Sequence, residues 1–331
     1  MMKLLVTGGL GFIGSNFIIS ALHKNPQFEI TNVDAELFGS NHKSLDSLQS
    51  NPNYKFVKGN ITNKPLMEKL ISDSDIIINF AAESFVDRSI MDANPFLVSN
   101  IRGTYTILDI IKNTKKKLIH ISTDEVFGSL ENGTSDEQSK LNPSSPYAAT
   151  KAAAELLANS YSATYGSDVI ITRCTNNYGP RQFAEKLIPK TILLASKDRK
   201  IPIYGKGTNI RDWIYVDDHC DAVLLTLLNG KSGESYNISA NNEIDNLTVV
   251  RKILEIMNKP KDLIDFVEDR PGHDFRYSMN SKKISDELGW RVKSNFDDGL
   301  RKTIQWYLDR PDILNSVSST VLDSTPWKSS N

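Results

Sequence analysis

Cysteine is nearly absent. The 331 residues hold two, Cys174 and Cys220, too few for a disulfide framework, and their apolar neighbours mark them as buried core thiols. Histidine is scarce too, with five in all at 23, 42, 120, 219 and 273. None of these has zinc-ligand spacing, so no metal is expected. No sign of charge dominates: 39 basic residues face 40 acidic ones for a net charge of −1. Without a broad electropositive field, nucleic acid is not an expected partner. No apolar run approaches the ~20 residues of a membrane-spanning helix. No leader or lipidation motif is visible, so a cytoplasmic location without a membrane partner is expected. Internal repeats are missing as well. The length suits one large α/β unit or two lobes with a sizeable core.

What is present alternates. Apolar strands read at 3–7, 29–34, 54–58, 75–80, 117–122 and 168–174, and amphipathic helices near 12–24, 63–71, 94–114 and 145–165. Strand–helix alternation of this kind argues for a parallel sheet. The first strand runs into Gly8, Gly11 and Gly14. That spacing gives a tight turn, lets backbone approach a pyrophosphate and packs the following helix closely, with its N-terminus aimed at the anion. Asp34 ends the second strand, 20 residues beyond Gly14, where a carboxylate accepts from adenosine ribose hydroxyls and repels a ribose phosphate. NAD is therefore expected over NADP. The fold class implied is α/β, a Rossmann-type doubly wound parallel sheet with a smaller C-terminal substrate-binding lobe. Residues 1–175 are expected to form the NAD-binding domain with the catalytic residues. Residues 176–315 are expected to be mostly substrate-binding lobe, with helices near 186–196, 216–228, 248–257 and 295–308, and 316–331 a tail expected to fray.

Two further stretches carry chemistry. Tyr147 and Lys151 are four apart after Pro146, so a helix starting there puts both on one face. An adjacent ammonium would lower the phenol's pKa from its usual value near ~10 and make Tyr147 a base for a sugar hydroxyl. Thr123, Asp124 and Glu125 follow a buried strand, at the edge where open α/β sheets hold ligands. Adjacent carboxyls can divide into a protonated acid and an ionised base when burial and repulsion separate their pKa values. Asn60, after the strand 54–58, is a candidate adenine neighbour or a turn residue.

With these motifs the chain resembles the nucleotide-sugar 4,6-dehydratases of the extended short-chain dehydrogenase/reductase superfamily, and within them the dTDP-glucose branch. The resemblance runs through Thr7–Ser15, Ala81–Ser89, Ser122–Gly128, Ser145–Lys151, Arg173–Pro180, Arg211–Trp213 and Asp269–Asp274. It implies a lyase that oxidises C4 of a nucleoside-diphosphate glucose, eliminates water across C5 and C6, and returns hydride to C6. Tyr147 would take the 4-hydroxyl proton with Thr123 bonding that oxygen. Glu125 would take the C5 proton, and Asp124 would protonate the departing C6 hydroxyl. The cofactor residues implied are Gly8, Gly11, Phe12, Ile13, Gly14, Asp34, Asn60, Ile61, Phe80, Ala81, Ala82, Ser99 and Asn177, together with Tyr147 and Lys151. The substrate residues implied are Ser84, Thr123, Asn176, Lys186, Leu187, Pro202, Tyr204, Asn237, Arg270 and His273, with Arg211 as diphosphate clamp.

The chain departs from the usual pattern at Asn60, where Asp is common, at Phe85 for His, at Phe127 for Tyr, and over 35–38. Thymine and uracil remain alternatives for the base. A UDP-sugar 4-epimerase or decarboxylase, and a non-catalytic protein that binds NAD and nucleotide sugar, are the competing readings. Asp124–Glu125 speaks against the first and Tyr147/Lys151 against the second. A homodimer through the helices near 94–114 and 145–165 is also expected.

Overall fold

The computed structural model describes residues 2–315, 317 and 319–328. The chain opens with β1 (Met2–Thr7), turns at Gly8–Gly11 and enters α1 (Phe12–Lys24). Next come β2 (Phe28–Asp34), β3 (Tyr54–Lys58), α2 (Lys64–Ser72) and β4 (Ile76–Asn79). The Asn63 side chain caps α2 by accepting from the Leu66 N–H at 3.3 Å. Two short helices follow, α3 (Val86–Met91) and α4 (Asn94–Phe96).

The single helix expected over 94–114 is interrupted. α4 passes through a π turn (Leu97–Arg102) before α5 (Gly103–Ile111). Asn100, buried in that turn, donates to the Glu83 carbonyl at 3.1 Å and to Thr150 Oγ1 at 2.9 Å. These inward bonds tie the wide turn to the segment after β4 and to Thr150, and turns of this kind are frequent at functional sites. β5 (Lys117–Thr123) then leads to α6 (Pro146–Tyr165). Ser145 Oγ accepts from the Ala148 N–H at 3.1 Å, Pro146 takes the first helical position, and Gly166 closes the helix at φ 64°.

After β6 (Val169–Cys174) the elements shorten: β7 (Asn176–Tyr178), α7 (Leu187–Ser196), β8 (Ile201–Tyr204) and β9 (Ile210–Tyr215). They continue as α8 (Val216–Asn229), β10 (Ser235–Ile238), β11 (Glu243–Asp245), α9 (Asn246–Ile256), β12 (Ile264–Val267), α10 (Lys282–Leu288) and α11 (Phe296–Leu308). The central sheet has seven parallel strands in the order β10-β6-β5-β4-β1-β2-β3. One face buries Val6, Phe17, Ile119, Ile121 and Val223, and the other buries Leu5, Ile77, Ile107, Leu118 and Ala158.

The boundary expected at 175 is crossed. β10 pairs with β6, and α8 shares its core with β1 and α1. A four-residue strand has no periodicity of its own, and only its register against β6 identifies it. The lobe consists of the sheet β11-β9-β7 and the pair β12-β8, with Ile188, Ile192, Trp213, Ile253 and Leu300 in its core.

The tail, expected to fray, is docked where described. Val321 is 4% exposed in the lobe core. The Lys190 ammonium donates to the Asp323 carbonyl at 2.7 Å. Trp327 meets Tyr204 edge-on, with centroids 4.7 Å apart. Residues 316, 318 and 329–331 lie outside the described residues.

Candidate active site

The carboxyl ends of β1, β4, β5 and β6 converge on one cleft. At its cofactor end Gly8 has φ +70°, and a Cβ there would stand 2.6 Å from Ala81 Cα and N. A Cβ on Gly14 would meet the Gly8 carbonyl oxygen at 2.5 Å. Backbone crowds both positions, so nothing larger than glycine fits. The N-terminus of α1 has neither a side-chain cap nor an acid in its first turn, which leaves its first N–H groups open to an anion. A dinucleotide pyrophosphate suits this turn. Asp34 does double duty: its carboxylate faces the cleft and accepts from the Leu10 N–H at 3.0 Å, the Glu36 N–H at 2.8 Å and Ser40 Oγ at 2.9 Å.

Every residue expected at the cofactor lines this first cavity, as do Ser84 and Thr123. Asn60 serves the turn as well, accepting from the Thr62 N–H at 2.9 Å. A second cavity is lined by Leu187, Pro202, Tyr204, Arg211, Arg270 and His273. The two cavities share Phe85, Glu125, Asn176, Asn177, Gln182 and Lys186. The cleft is therefore continuous, with Glu125 at the junction.

β5 delivers the catalytic candidates. Thr123 Oγ1 accepts from the Glu125 N–H at 3.3 Å and donates to Asp124 Oδ1 at 3.1 Å, starting the 3-10 turn Asp124–Phe127. Asp124 is 3% exposed, and its Oδ2 has no partner among the described residues. Burial, then repulsion from Glu125, hold the Asp124 carboxyl well above the usual carboxylate range. Burial raises Glu125 too, but Arg270, Lys186 and Arg211 pull it back toward the ionised form. Both neighbours are thus shifted upward, Asp124 well above the usual range and Glu125 against the pull of three cations.

The Tyr147–Lys151 expectation needs correction. Lys151 Nζ donates to the Ile121 carbonyl at 2.6 Å, and burial brings its pKa down to about 8. The Tyr147 phenol is pushed up, not down, by burial first and then by Glu125, Cys174 and Asp124, with only the Thr123 hydroxyl opposing. Spacing put the pair on one helix face but could not reveal how completely both are buried.

Two substrate-side residues also bond within the protein, though Arg211 still lines the second cavity and keeps two N–H groups beyond these bonds. Arg211, expected to clamp a diphosphate, spends Nη1 on the Ile210 and Phe275 carbonyls at 2.7 and 3.2 Å and Nη2 on the Asp274 carbonyl at 2.9 Å. It fixes the 274–275 loop. Asn237 lines neither cavity. It is fully buried in β10, where Arg173 Nη1 donates to its Oδ1 at 3.4 Å beside the buried Arg173–Glu155 pair. Its side chain faces the sheet interior because its strand joins β6.

The other groups are poised at the cleft. Asn176 Oδ1 is buried without a partner among the described residues. Asn177 donates to the Thr175 carbonyl at 3.0 Å and pairs with His219 Nδ1 at 2.9 Å. Lys186 Nζ donates to the Ser84 carbonyl at 2.8 Å and lies 4.9 Å above the Phe85 ring. His273, paired with Asp269 at 2.6 Å, is brought down to about 4 by burial and the nearby arginines, so its ring is neutral at pH 7. Asp87, Gln182 and Tyr277 also line the second cavity and were not singled out from the sequence. Asp87 sits inside the Ala81–Ser89 motif, and that placement was the available signal.

The sequence matches the family model described as GDP-mannose 4,6 dehydratase over residues 5–303. A dTDP-glucose 4,6-dehydratase from Actinoplanes sp. is 44% identical over 312 residues, covering 92% of this chain and 98% of that one. The crystal structure of dTDP-glucose 4,6-dehydratase from Bacillus anthracis in complex with NAD is similar at 44% identity and TM-score 0.89, covering 94% of this chain and 98% of that one. UDP-glucuronic acid 4-epimerase from Bacillus cereus is similar at 29% identity and TM-score 0.88, covering 93% and 99%. The chain belongs to the GDP-mannose 4,6 dehydratase family.

Proposed function

We propose that the protein is an NAD-dependent lyase that converts dTDP-glucose to its 4-keto-6-deoxy product. The observation that carries this reading is the pair Asp124 and Glu125, the first buried with an unpartnered Oδ2 and raised well above the usual carboxylate range, the second at the junction of the two cavities with three cations acting on it. Elimination of water needs one acid and one base at neighbouring carbons, and an epimerase has no use for the pair. When bound along the Gly8–Gly14 turn, NAD supplies a hydride sink at C4 and a hydride source at C6.

The chain's own groups handle the protons. Tyr147, whose phenol burial and the nearby carboxyls raise, would take the proton of the 4-hydroxyl where the positive charge of a bound nicotinamide offsets that rise. Lys151 below it holds positive charge up to a pH of about 8. Its ammonium is held at the first cavity by the bond to the Ile121 carbonyl. Once C4 is a ketone, the C5 hydrogen is acidic and Glu125 removes it. Asp124 gives its proton to the C6 oxygen, which leaves as water. Lys186, Arg211, Arg270, Tyr204 and His273 line the nucleotide end, where the two guanidinium groups suit a diphosphate.

The remaining parts of the reading concern setting. The enzyme acts in the cytoplasm, in keeping with two free buried thiols and with no helix among the described residues long and apolar enough to cross a membrane. Two copies pair through the helices near 94–114 and 145–165, where Leu97, Tyr105 and Leu156 are exposed.

The test is isotopic. With C4-deuterated dTDP-glucose the label reappears at C6 and one solvent hydrogen enters C5. A product that keeps its 6-hydroxyl and is inverted at C4 rejects the dehydratase.

A further inference from the structure

Asp87 has no part in the chemistry above, yet it ties three segments together. Its carboxylate is 12% exposed. Oδ1 accepts from Arg270 Nη1 at 3.0 Å, and Oδ2 accepts from the Tyr204 hydroxyl at 3.0 Å. Asp87 belongs to α3, whose Val86 packs against Tyr147. Tyr204 ends β8 of the lobe, and Arg270 lies in the loop after β12. One side chain thus joins the nucleotide end of the cleft to the helix that packs on the catalytic tyrosine.

The bond to Nη1 also orients the rest of the guanidinium. Nε of Arg270 is buried with no partner among the described residues, and Arg270 lines the second cavity. Burial disfavours the arginine's charge, and Asp87 and Glu125 more than offset that. Without Asp87, the nearest carboxylate drawing on Arg270 would be Glu125, whose Oε2 is also unpartnered. An arginine collapsed onto Glu125 would leave the diphosphate position.

We propose that Asp87 is a positioning residue for nucleotide binding: it holds Arg270 and Tyr204 together in the wall of the second cavity, where the substrate diphosphate would meet the guanidinium. The proposal rests on reading this cleft as a nucleotide-sugar site. Asn keeps the shape of Asp but not its charge, and Glu keeps the charge at a shifted position.

The test uses the NAD-loaded protein with dTDP as the calorimetric probe and dTDP-glucose for kinetics. Asp87→Asn should raise the Kd for dTDP and the KM for dTDP-glucose about tenfold, the scale of one charge-assisted hydrogen bond. It should leave NAD content unchanged and kcat within about threefold. Asp87→Glu should recover part of the affinity. Tyr204→Phe, which removes only one of the two bonds, should weaken dTDP about threefold even if the Asn variant does not fold. The proposal is overturned if the Asn variant binds dTDP within twofold of wild type, if Glu and Asn are equally impaired, if kcat falls while KM holds, or if Tyr204→Phe has no effect. It is also overturned if the wild-type protein does not bind dTDP. Binding of dTDP without turnover of dTDP-glucose would instead reject the proposed reaction and leave the Asp87 comparison to be judged on Kd alone.

Discussion

Replacing Asp124 by Asn separates oxidation from elimination. The carboxyl is buried and raised well above the usual carboxylate range, which favours its keeping the proton that the C6 oxygen needs. Asn has nearly the same shape and can still accept from Thr123, but it has no proton to give. Loss of a general acid costs about 10²–10⁴-fold, so elimination should slow by about 10³-fold. C4 oxidation should change little, because Tyr147 and Lys151 are untouched. In a single-turnover experiment on the NAD-loaded variant, reduced nicotinamide should accumulate by absorbance before any 6-deoxy product appears by mass spectrometry. The same substitution carries a stability signature. A carboxyl with a raised folded pKa contributes stability that is fully present below its ordinary pKa near ~4 and is lost as pH rises toward the folded value. Above pH ~4 the wild type therefore loses up to about 1.4 kcal/mol per pH unit that the Asn variant keeps. For a chain of this size that corresponds to a Tm gap widening by up to about 2 °C per pH unit. Equal losses in oxidation and elimination, or a Tm gap flat between pH 4 and 7, would refute the reasoning.

Lys151 titrates at about 8 and is charged below that pH. The kcat/KM profile should fall above pH 8, and that limb should be missing from the residual activity of Lys151→Met. Asp34→Ala removes the carboxylate that faces the cleft and holds the Leu10 and Glu36 N–H groups. NAD should weaken about tenfold relative to NADP, as for the loss of a charge-assisted bond, and an unchanged ratio of dissociation constants would remove Asp34 from the ribose site. Gly8→Ala forces a Cβ to within 2.6 Å of Ala81 backbone at φ +70°. The purified variant should carry little or no NAD, which its absorbance ratio reports, and full NAD content would show that the turn can shift.

Much of the site was legible because it follows short sequence rules. Three glycines, an acid after the second strand and a capped helix start at Ser145-Pro146 each have a local physical cause, and each lies where expected. β10 was not legible, because four residues carry no period and its identity lies in pairing with a strand some 60 residues away in sequence. The tail reads as polar and disordered, yet Val321 and Trp327 find apolar partners that only the lobe provides. Arg211 illustrates a different limit. A guanidinium near a diphosphate site is a fair candidate for a clamp, but the backbone carbonyls that share its donors cannot be read from residue types.

By itself the chain determined its parallel sheet, its dinucleotide turn and the acid–base pair at the end of β5, since glycine geometry, helix capping and carboxyl chemistry act over a few residues. Tertiary structure alone decided the pKa directions and the wiring. Burial, which depends on what distant segments cover, separated Asp124 from Glu125 and raised the Tyr147 phenol. The meeting of α3, β8 and the loop after β12 placed one carboxylate, Asp87, between Arg270 and Tyr204.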